Sequence, residues 1–165
     1  MDCKIRLMDI TYSSSVDGTG FRDVLFVAGC PHRCKGCHNP ETWNFKSGNE
    51  ATIEEVFTLL TKSSITNVTF SGGEPFCQAK PLSELAKKIK KETEKNIWIY
   101  SGFTFEEIIS DKEKLELLKE CEVLVDGRFE ENKKGLNLKF KGSENQRIID
   151  IKESLKANEI VLYGN

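Results

Sequence analysis

The sequence has almost no net charge. Its 24 lysine and arginine residues stand against 26 aspartate and glutamate residues, which leaves −2 at pH 7. A protein that binds a phosphate backbone or an anionic lipid surface normally presents a basic field. Nucleic acid and membranes are therefore not expected partners.

The sequence also lacks an apolar run near the ~20 residues that a transmembrane helix needs. Its opening stretch, MDCKIRLMDI, has neither the basic head nor the long apolar segment of a secretory signal. Internal repeats, low-complexity tracts and linkers are missing as well. We therefore expect a cytoplasmic protein in which residues 1–165 form a single domain.

Cysteine, in contrast, is concentrated. Three of the six cysteines, Cys30, Cys34 and Cys37, fall within eight residues. Disulfides are one interpretation, but the chain is larger than the secreted scaffolds that depend on them, and in a reducing compartment such a group is more often a metal site. The other cysteines are too scattered to form a second centre, and their roles stay open: Cys3, Cys77 and Cys121.

Three neighbouring cysteines can hold metal in two ways. Four-iron clusters are normally held by four thiolates, so three would leave one iron free to bind a small molecule directly. A structural zinc is the alternative, because either His32 or His38 would complete a tetrahedral Cys3His site. The cysteine spacing by itself leaves both possibilities open.

Apolar, β-branched runs alternate with helical patterns along the chain, which predicts βα units and a mostly parallel sheet. Strands are predicted at residues 24–27, 68–70, 97–100, 123–125 and 160–162, and another near residues 5–11. Capping residues Thr52 with Glu55, and Thr104 with Glu107, predict the starts of two helices. A third helix is predicted after Pro81.

The residues that could bind a metal or a ligand follow four of the predicted strands. These are Cys30, the SGGEP segment at 71–75, Ser101 and Asp126. Because the carboxyl ends of parallel strands share one edge of a sheet, we expect these segments to form one pocket. A complete eight-unit barrel takes ~250 residues, so the prediction is a partial, open β/α barrel with helices on its outer face.

The spacing Cys30-x3-Cys34-x2-Cys37 after a strand, followed one βα unit later by SGGEP, resembles the radical S-adenosylmethionine superfamily. Within it, VDGTGFRDVLFVAGCPHRCKGCHNPETW at 16–43 is similar to glycyl-radical-enzyme activases, in particular those of anaerobic ribonucleotide reductase. Similarity continues in WIYSGFTFEE, LVDGRF and GSENQRIID. Two departures are Gly36, where an aromatic residue is common, and DGTG in place of DGPG.

The resemblance implies an oxidoreductase with one [4Fe-4S] cluster on the three cysteines and with S-adenosylmethionine on the open iron. Reductive cleavage would give a 5′-deoxyadenosyl radical, which installs a glycyl radical on the large subunit of the anaerobic reductase. A flavodoxin or ferredoxin would supply the electron. The alternatives are activation of a different, formate-lyase-like enzyme, or a non-catalytic zinc or iron–sulfur module.

The resemblance also implies which residues contact S-adenosylmethionine. We expect Gly36, Cys37 and His38 near adenine, Ser71, Gly72, Gly73 and Glu74 at the methionine end, and Ser101 and Asp126 at ribose or ammonium groups. Glycines let a ligand approach the backbone, and a carboxylate suits an ammonium group. His32 and Arg33 are expected at the protein partner, His32 equally as a solvated loop residue, and the role of Arg147 stays open.

Overall fold

A computed structural model describes residues 3–164, which form one seven-stranded sheet with helices packed against it. The strands are β1 (Lys4–Ser14), β2 (Arg22–Val27), β3 (Asn49–Thr52), β4 (Asn67–Gly72), β5 (Ile97–Tyr100), β6 (Val123–Asp126) and β7 (Arg147–Asp150). The α-helices are α1 (Ile53–Leu60), α2 (Ala79–Glu92), α3 (Phe105–Ile109), α4 (Lys112–Lys119) and α5 (Ile151–Ala157). The predicted α/β class is confirmed.

The strand order is β3-β1-β2-β4-β5-β6-β7. The central strands β2, β4, β5 and β6 are parallel to one another, while β1 and β3 at one edge and β7 at the other are antiparallel to their neighbours. Within the described residues the two edge strands do not pair, so the sheet is open. The expected parallel arrangement therefore holds for the centre of the sheet.

Side chains alternate between the two faces of the sheet, as the strand repeat requires. On one face, Leu25, Phe70 and Ile99 are fully buried against α1, α2 and α4, where Leu82 and Leu85 complete the main core. The opposite face carries a smaller apolar cluster, with these buried members: Trp98, Val123 and Val125. The helices thus cover one face and leave the other available for a cavity.

The strand predicted at 160–162 is wrong. In the part of the chain that is described, Leu162 makes an isolated bridge to Ile149, and the segment is only partly buried. The Asp150 N–H donates to the Val161 carbonyl and the Tyr163 N–H donates to the Ile148 carbonyl, both at 2.9 Å, so the segment pairs with β7 around a single bridge and does not continue as a strand. β7 lies beside β6 instead, and four elements had no clear sequence signal: β3, β7, α4 and α5.

Candidate functional site

The loop after β2 carries the three neighbouring cysteines and is closed by backbone hydrogen bonds. Gly29 donates its N–H to Thr42 at 2.7 Å, and Cys30 donates to Trp43 at 3.1 Å. Gly29 has φ +95°, and a Cβ there would lie 2.3 Å from the Phe45 ring, so only glycine fits. We call residues 28–43 the cluster loop.

The three thiols of the cluster loop, on Cys30, Cys34 and Cys37, all line one cavity. Burial raises the pKa of the Cys30 and Cys34 thiols above the ordinary value, so positive charge is needed to hold them as thiolates. Among the residues that the structure describes, no three His, Cys, Asp or Glu side chains are grouped to bind one metal ion.

The cavity has a volume of about 590 Å³, within the usual range of small-molecule sites. Its walls come from the loops at the carboxyl ends of β2, β4, β5 and β6, the last contributing Gly127 in place of the expected Asp126. The expected site residues that line it are Cys30, Cys34, Cys37, His38, Ser71, Gly72, Gly73 and Ser101. Gly36, Glu74 and Asp126 are not among the lining residues.

The donor set and the walls fit an iron–sulfur cluster with a second ligand. Three thiols can hold three irons, and the cavity leaves room beside them. The Trp43 indole Nε1 on the cavity wall is buried without a hydrogen-bond partner among the described residues. A buried donor of this kind fits a bound group that brings an acceptor, such as a sulfide or a ribose oxygen.

Gly72 and Gly73 bring the loop after β4 against the cluster loop. Gly73 donates to the Val27 carbonyl at 2.9 Å, and Glu74 donates to the Gly29 carbonyl at 2.7 Å. A Cβ on Gly72 would lie 2.3 Å from the Val27 nitrogen, and one on Gly73 would lie 2.5 Å from the Gly29 oxygen. The glycines are thus required by the close approach of the end of β4 to the end of β2 and the cluster loop, as well as by the cavity that they line.

Glu74 lies behind the cavity wall and is fully buried. Its carboxylate accepts hydrogen bonds from His32 Nε2 at 2.7 Å and from the Gly102 N–H at 2.8 Å. Ser101 Oγ at 2.8 Å and the Phe76 N–H at 3.0 Å complete the set. In this arrangement the carboxylate has no free acceptor for the ammonium group expected at it.

Ser101 and Asp126 are also engaged within the protein. The Ser101 hydroxyl donates to Glu74 and accepts from the Phe103 N–H at 2.9 Å. The buried Asp126 carboxylate accepts from the Phe105 N–H at 2.7 Å and from Arg147 at 2.6 Å. The hydrogen bond of Arg147 to Asp126 and, to a smaller extent, its hydrogen bond to Glu106 raise the pKa of the guanidinium above its ordinary value. Arg147 therefore serves as an internal ion-pair partner.

Residues flanking the cysteines lie on both sides of the cavity wall. His32 also lines the cavity, but its side chain is only 3% exposed and both ring nitrogens have protein neighbours, so it is not the solvated loop residue expected as one alternative. Arg33 is exposed and lies over the Trp43 ring. His38 lines the cavity beside the Phe129 ring, while a Cβ on Gly36 would meet Glu131 at 3.0 Å.

Sequence reasoning missed part of the cavity wall. Phe26 and Tyr100 could have been predicted from the strand alternation, because each lies on the face of its strand opposite the main core. Residues 138–142 and Gln146 come from an irregular segment with no periodic signal. Their place in the wall depends on how that segment folds back over the sheet.

All six cysteines are unpaired, including the three outside the cluster loop. Cys77 is exposed, and Cys121 is buried and donates to the Leu117 carbonyl at 3.5 Å. Residues 3–164 contain no helix that is both long and apolar enough to span a bilayer.

Comparison with known proteins agrees with the cysteine-lined cavity. A family model described as "4Fe-4S single cluster domain" matches residues 16–149. The anaerobic ribonucleoside-triphosphate reductase-activating protein of Enterobacteria phage T4 is 40% identical over 139 residues, which cover 81% of this chain and 86% of that protein.

Proteins of the same name give similar matches in bacteria. The Vibrio cholerae protein is 36% identical over 81% of this chain and 90% of its own length. The Escherichia coli K12 protein is 32% identical over 79% of this chain and 89% of its own length. The chain therefore belongs to the family of anaerobic ribonucleoside-triphosphate reductase-activating proteins and carries a 4Fe-4S single cluster domain.

Proposed function

We propose that this protein is a radical S-adenosylmethionine activase of anaerobic ribonucleotide reductase, with a [4Fe-4S] cluster on Cys30, Cys34 and Cys37. The observation that carries the proposal is that these three thiols line one cavity of about 590 Å³. Cys30, Cys34 and Cys37 would hold the cluster, which when bound would supply the electron for reductive cleavage of S-adenosylmethionine; the resulting 5′-deoxyadenosyl radical would take a hydrogen atom from a glycine of the reductase.

The chain's own residues hold and orient the cofactors. Ser71, Gly72 and Gly73 line the cavity at the end of β4, which supports contacts with the methionine end. His38 lines it in the cluster loop, which supports a place beside adenine. We further propose that residues 1–165 act as one domain of the radical S-adenosylmethionine type, because the described strands form one open sheet.

We propose the large subunit of anaerobic ribonucleotide reductase as the protein substrate. The names of the phage and bacterial relatives support this choice over a formate-lyase-like enzyme. An open sheet leaves room for a partner loop to enter and to exclude water from the radical. A flavodoxin or ferredoxin is the proposed electron donor, and the unpaired cysteines support a reducing, cytoplasmic setting.

Purification without oxygen tests the chemistry. We expect about four irons and four sulfides per chain, and release of 5′-deoxyadenosine that requires both dithionite and S-adenosylmethionine. Cys34→Ser is expected to lose the cluster and the turnover together, because one of three ligands is gone. Cys77→Ser is the matched control and should keep both, since Cys77 is exposed outside the cavity lining. Zinc-loaded protein without turnover would contradict the proposal.

The identity of the partner is tested by electron paramagnetic resonance. We expect a glycyl radical signal when the reduced protein and S-adenosylmethionine are mixed with the large subunit of an anaerobic ribonucleotide reductase. A formate-lyase-like enzyme in the same mixture should stay silent. A signal on the lyase alone would assign the protein to the other activases.

A further inference from the structure

The Glu74 carboxylate is saturated with hydrogen bonds inside the protein. Oε1 accepts from His32 and Gly102, and Oε2 accepts from Ser101 and Phe76, at 2.7 to 3.0 Å. A carboxylate offers about four lone-pair positions, so all of them are used. Since the side chain is fully buried, a cofactor ammonium group could bind it only by displacing one of these donors.

The His32 ring is held in one orientation by its neighbours. Arg128 Nε lies 3.2 Å from Nδ1, and a guanidinium can only donate. Nδ1 is therefore the acceptor, and Nε2–H donates to Glu74. The ring edge packs on Phe103 at 4.6 Å and covers Gly102, where a Cβ would lie 2.4 Å from His32 Cδ2.

This network joins the loops at the carboxyl ends of the four parallel strands. His32 belongs to the cluster loop after β2, Glu74 follows β4, Ser101 and Gly102 follow β5, and Arg128 follows β6. In sequence, His32 lies midway between Cys30 and Cys34. The position of its ring therefore sets the position of the segment that connects two cluster ligands.

We propose that Glu74 is a positioning residue, which holds the cluster loop in place through His32 and does not contact S-adenosylmethionine. The proposal rests on the proposed function for the identity of this cofactor, but the connection to the cluster loop does not depend on it. Contacts with the methionine end are then left to the neighbouring residues that do line the cavity: Ser71, Gly72 and Gly73.

Two substitutions at His32 test the connection without any turnover. In His32→Gln the amide nitrogen reaches the place of Nε2 and can donate to Glu74, whereas in His32→Asn it reaches only the place of Nδ1. We expect His32→Gln to keep the cluster as long as the wild type, and His32→Asn to lose iron to a chelator about tenfold faster, the usual size of such outer contacts.

The reduced cluster gives a second readout of the same pair. Its paramagnetic resonance g-values should match the wild type in His32→Gln and shift in His32→Asn, because only the second moves the cluster loop. Equal iron loss and equal spectra in the two variants would overturn the proposal.

Glu74→Gln tests the absence of a cofactor contact. We expect the Glu74→Gln variant to lose iron faster than the wild type. Adding His32→Asn should not accelerate the loss further, because both substitutions break the same His32–Glu74 hydrogen bond. For the cluster-loaded fraction, the Kd of S-adenosylmethionine should change less than about threefold. Glu116→Gln, at an exposed carboxylate on α4, is the matched control.

The opposite pattern would make Glu74 a cofactor ligand. Iron loss as slow as in the wild type, with a Kd raised tenfold or more, would overturn the proposal. Should the wild type bind no S-adenosylmethionine, the proposed function fails, while the comparison of His32→Gln with His32→Asn still decides the role of the network. Unfolding curves of the apoproteins identify a variant that does not fold, and the His32 pair then decides.

Discussion

Single residues at this site are chosen by how closely two backbones approach. The Gly73 N–H donates to Val27 at 2.9 Å, and the space where a side chain would begin is filled by the Gly29 carbonyl. Close backbone contact is one of the few situations in which only glycine fits. At position 73 the sequence thus encodes the junction between the cluster loop and the loop after β4.

Gly73→Ala should separate these loops. The new Cβ would lie 2.5 Å from the Gly29 oxygen, which is backbone and cannot turn away as a flexible side chain would. We expect a loss of about 1–3 kcal/mol in the free energy of unfolding, together with lower iron content. Denaturant unfolding and iron analysis measure the two effects.

Gly135→Ala is the matched control for this change. The atoms nearest to its Cβ would belong to the Leu138 side chain, at 3.3 Å or more, and a side chain can move aside where a backbone carbonyl cannot. Equal stability and equal iron content in the two variants would contradict the role assigned to Gly73.

Among the elements, α3 shows how a short helix contributes to the site. It has only five residues, too few to be stable alone, and it begins next to the β5 loop that contacts Glu74. Thr104 and Glu107 form a complete capping box, and the Phe105 N–H donates to Asp126 at the end of β6. The start of α3 is therefore fixed from both sides.

Thr104→Ala should weaken this start. Loss of the hydroxyl leaves the Glu107 N–H without its acceptor at 3.2 Å, which costs about 1 kcal/mol in the free energy of unfolding. Thr104→Ser keeps the hydroxyl and is expected to stay within about 0.5 kcal/mol of the wild type. Denaturant unfolding compares the three proteins, and equal losses in both variants would contradict the capping role.

At the scale of the whole molecule, Arg22 ties the face opposite the helices together. It is fully buried, and its guanidinium donates to Thr69 in β4, to the Val68 carbonyl and to Thr19 in the preceding loop, at 2.9 Å in each case. Burial lowers the pKa of Arg22 to about 10, which leaves it charged at neutral pH. Trp98 covers the guanidinium plane at 5.5 Å.

Arg22→Lys should destabilise the fold strongly. An ammonium group cannot reach the spread of acceptors that the planar guanidinium satisfies, and buried carbonyls left without donors cost about 1–3 kcal/mol each. We therefore expect a loss of roughly 3 kcal/mol in the free energy of unfolding, measured by denaturant titration.

Arg6→Lys is the matched control for Arg22→Lys. The Arg6 guanidinium donates to carbonyls of Lys46, Ser47 and Gly48, but largely at the surface, where water can replace it. A loss below about 1 kcal/mol is expected there. Similar losses in the two variants would contradict the importance of the buried position.

Features that depend on local spacing can be predicted from the order of the amino acids. Buried runs such as those of β2 and β4 predict strands because β-branched and aromatic side chains pack well on the pleated surface of a sheet. The cysteine spacing, at Cys30, Cys34 and Cys37, predicts a shared site because residues so close along the chain can reach one centre without any long-range contact. Both signals lie within short stretches of chain.

Which polar groups meet depends on contacts between distant parts of the chain, and these are known only once the fold is known. Glu74 is 42 residues from His32 and 28 residues from Gly102 in the sequence, and no local pattern predicts hydrogen-bond partners that are so far apart. A carboxylate next to a glycine turn predicts a ligand or an internal contact equally well until the surrounding loops are placed. The outcome depends on burial, because a charge removed from water must find its donors among whatever the fold brings near.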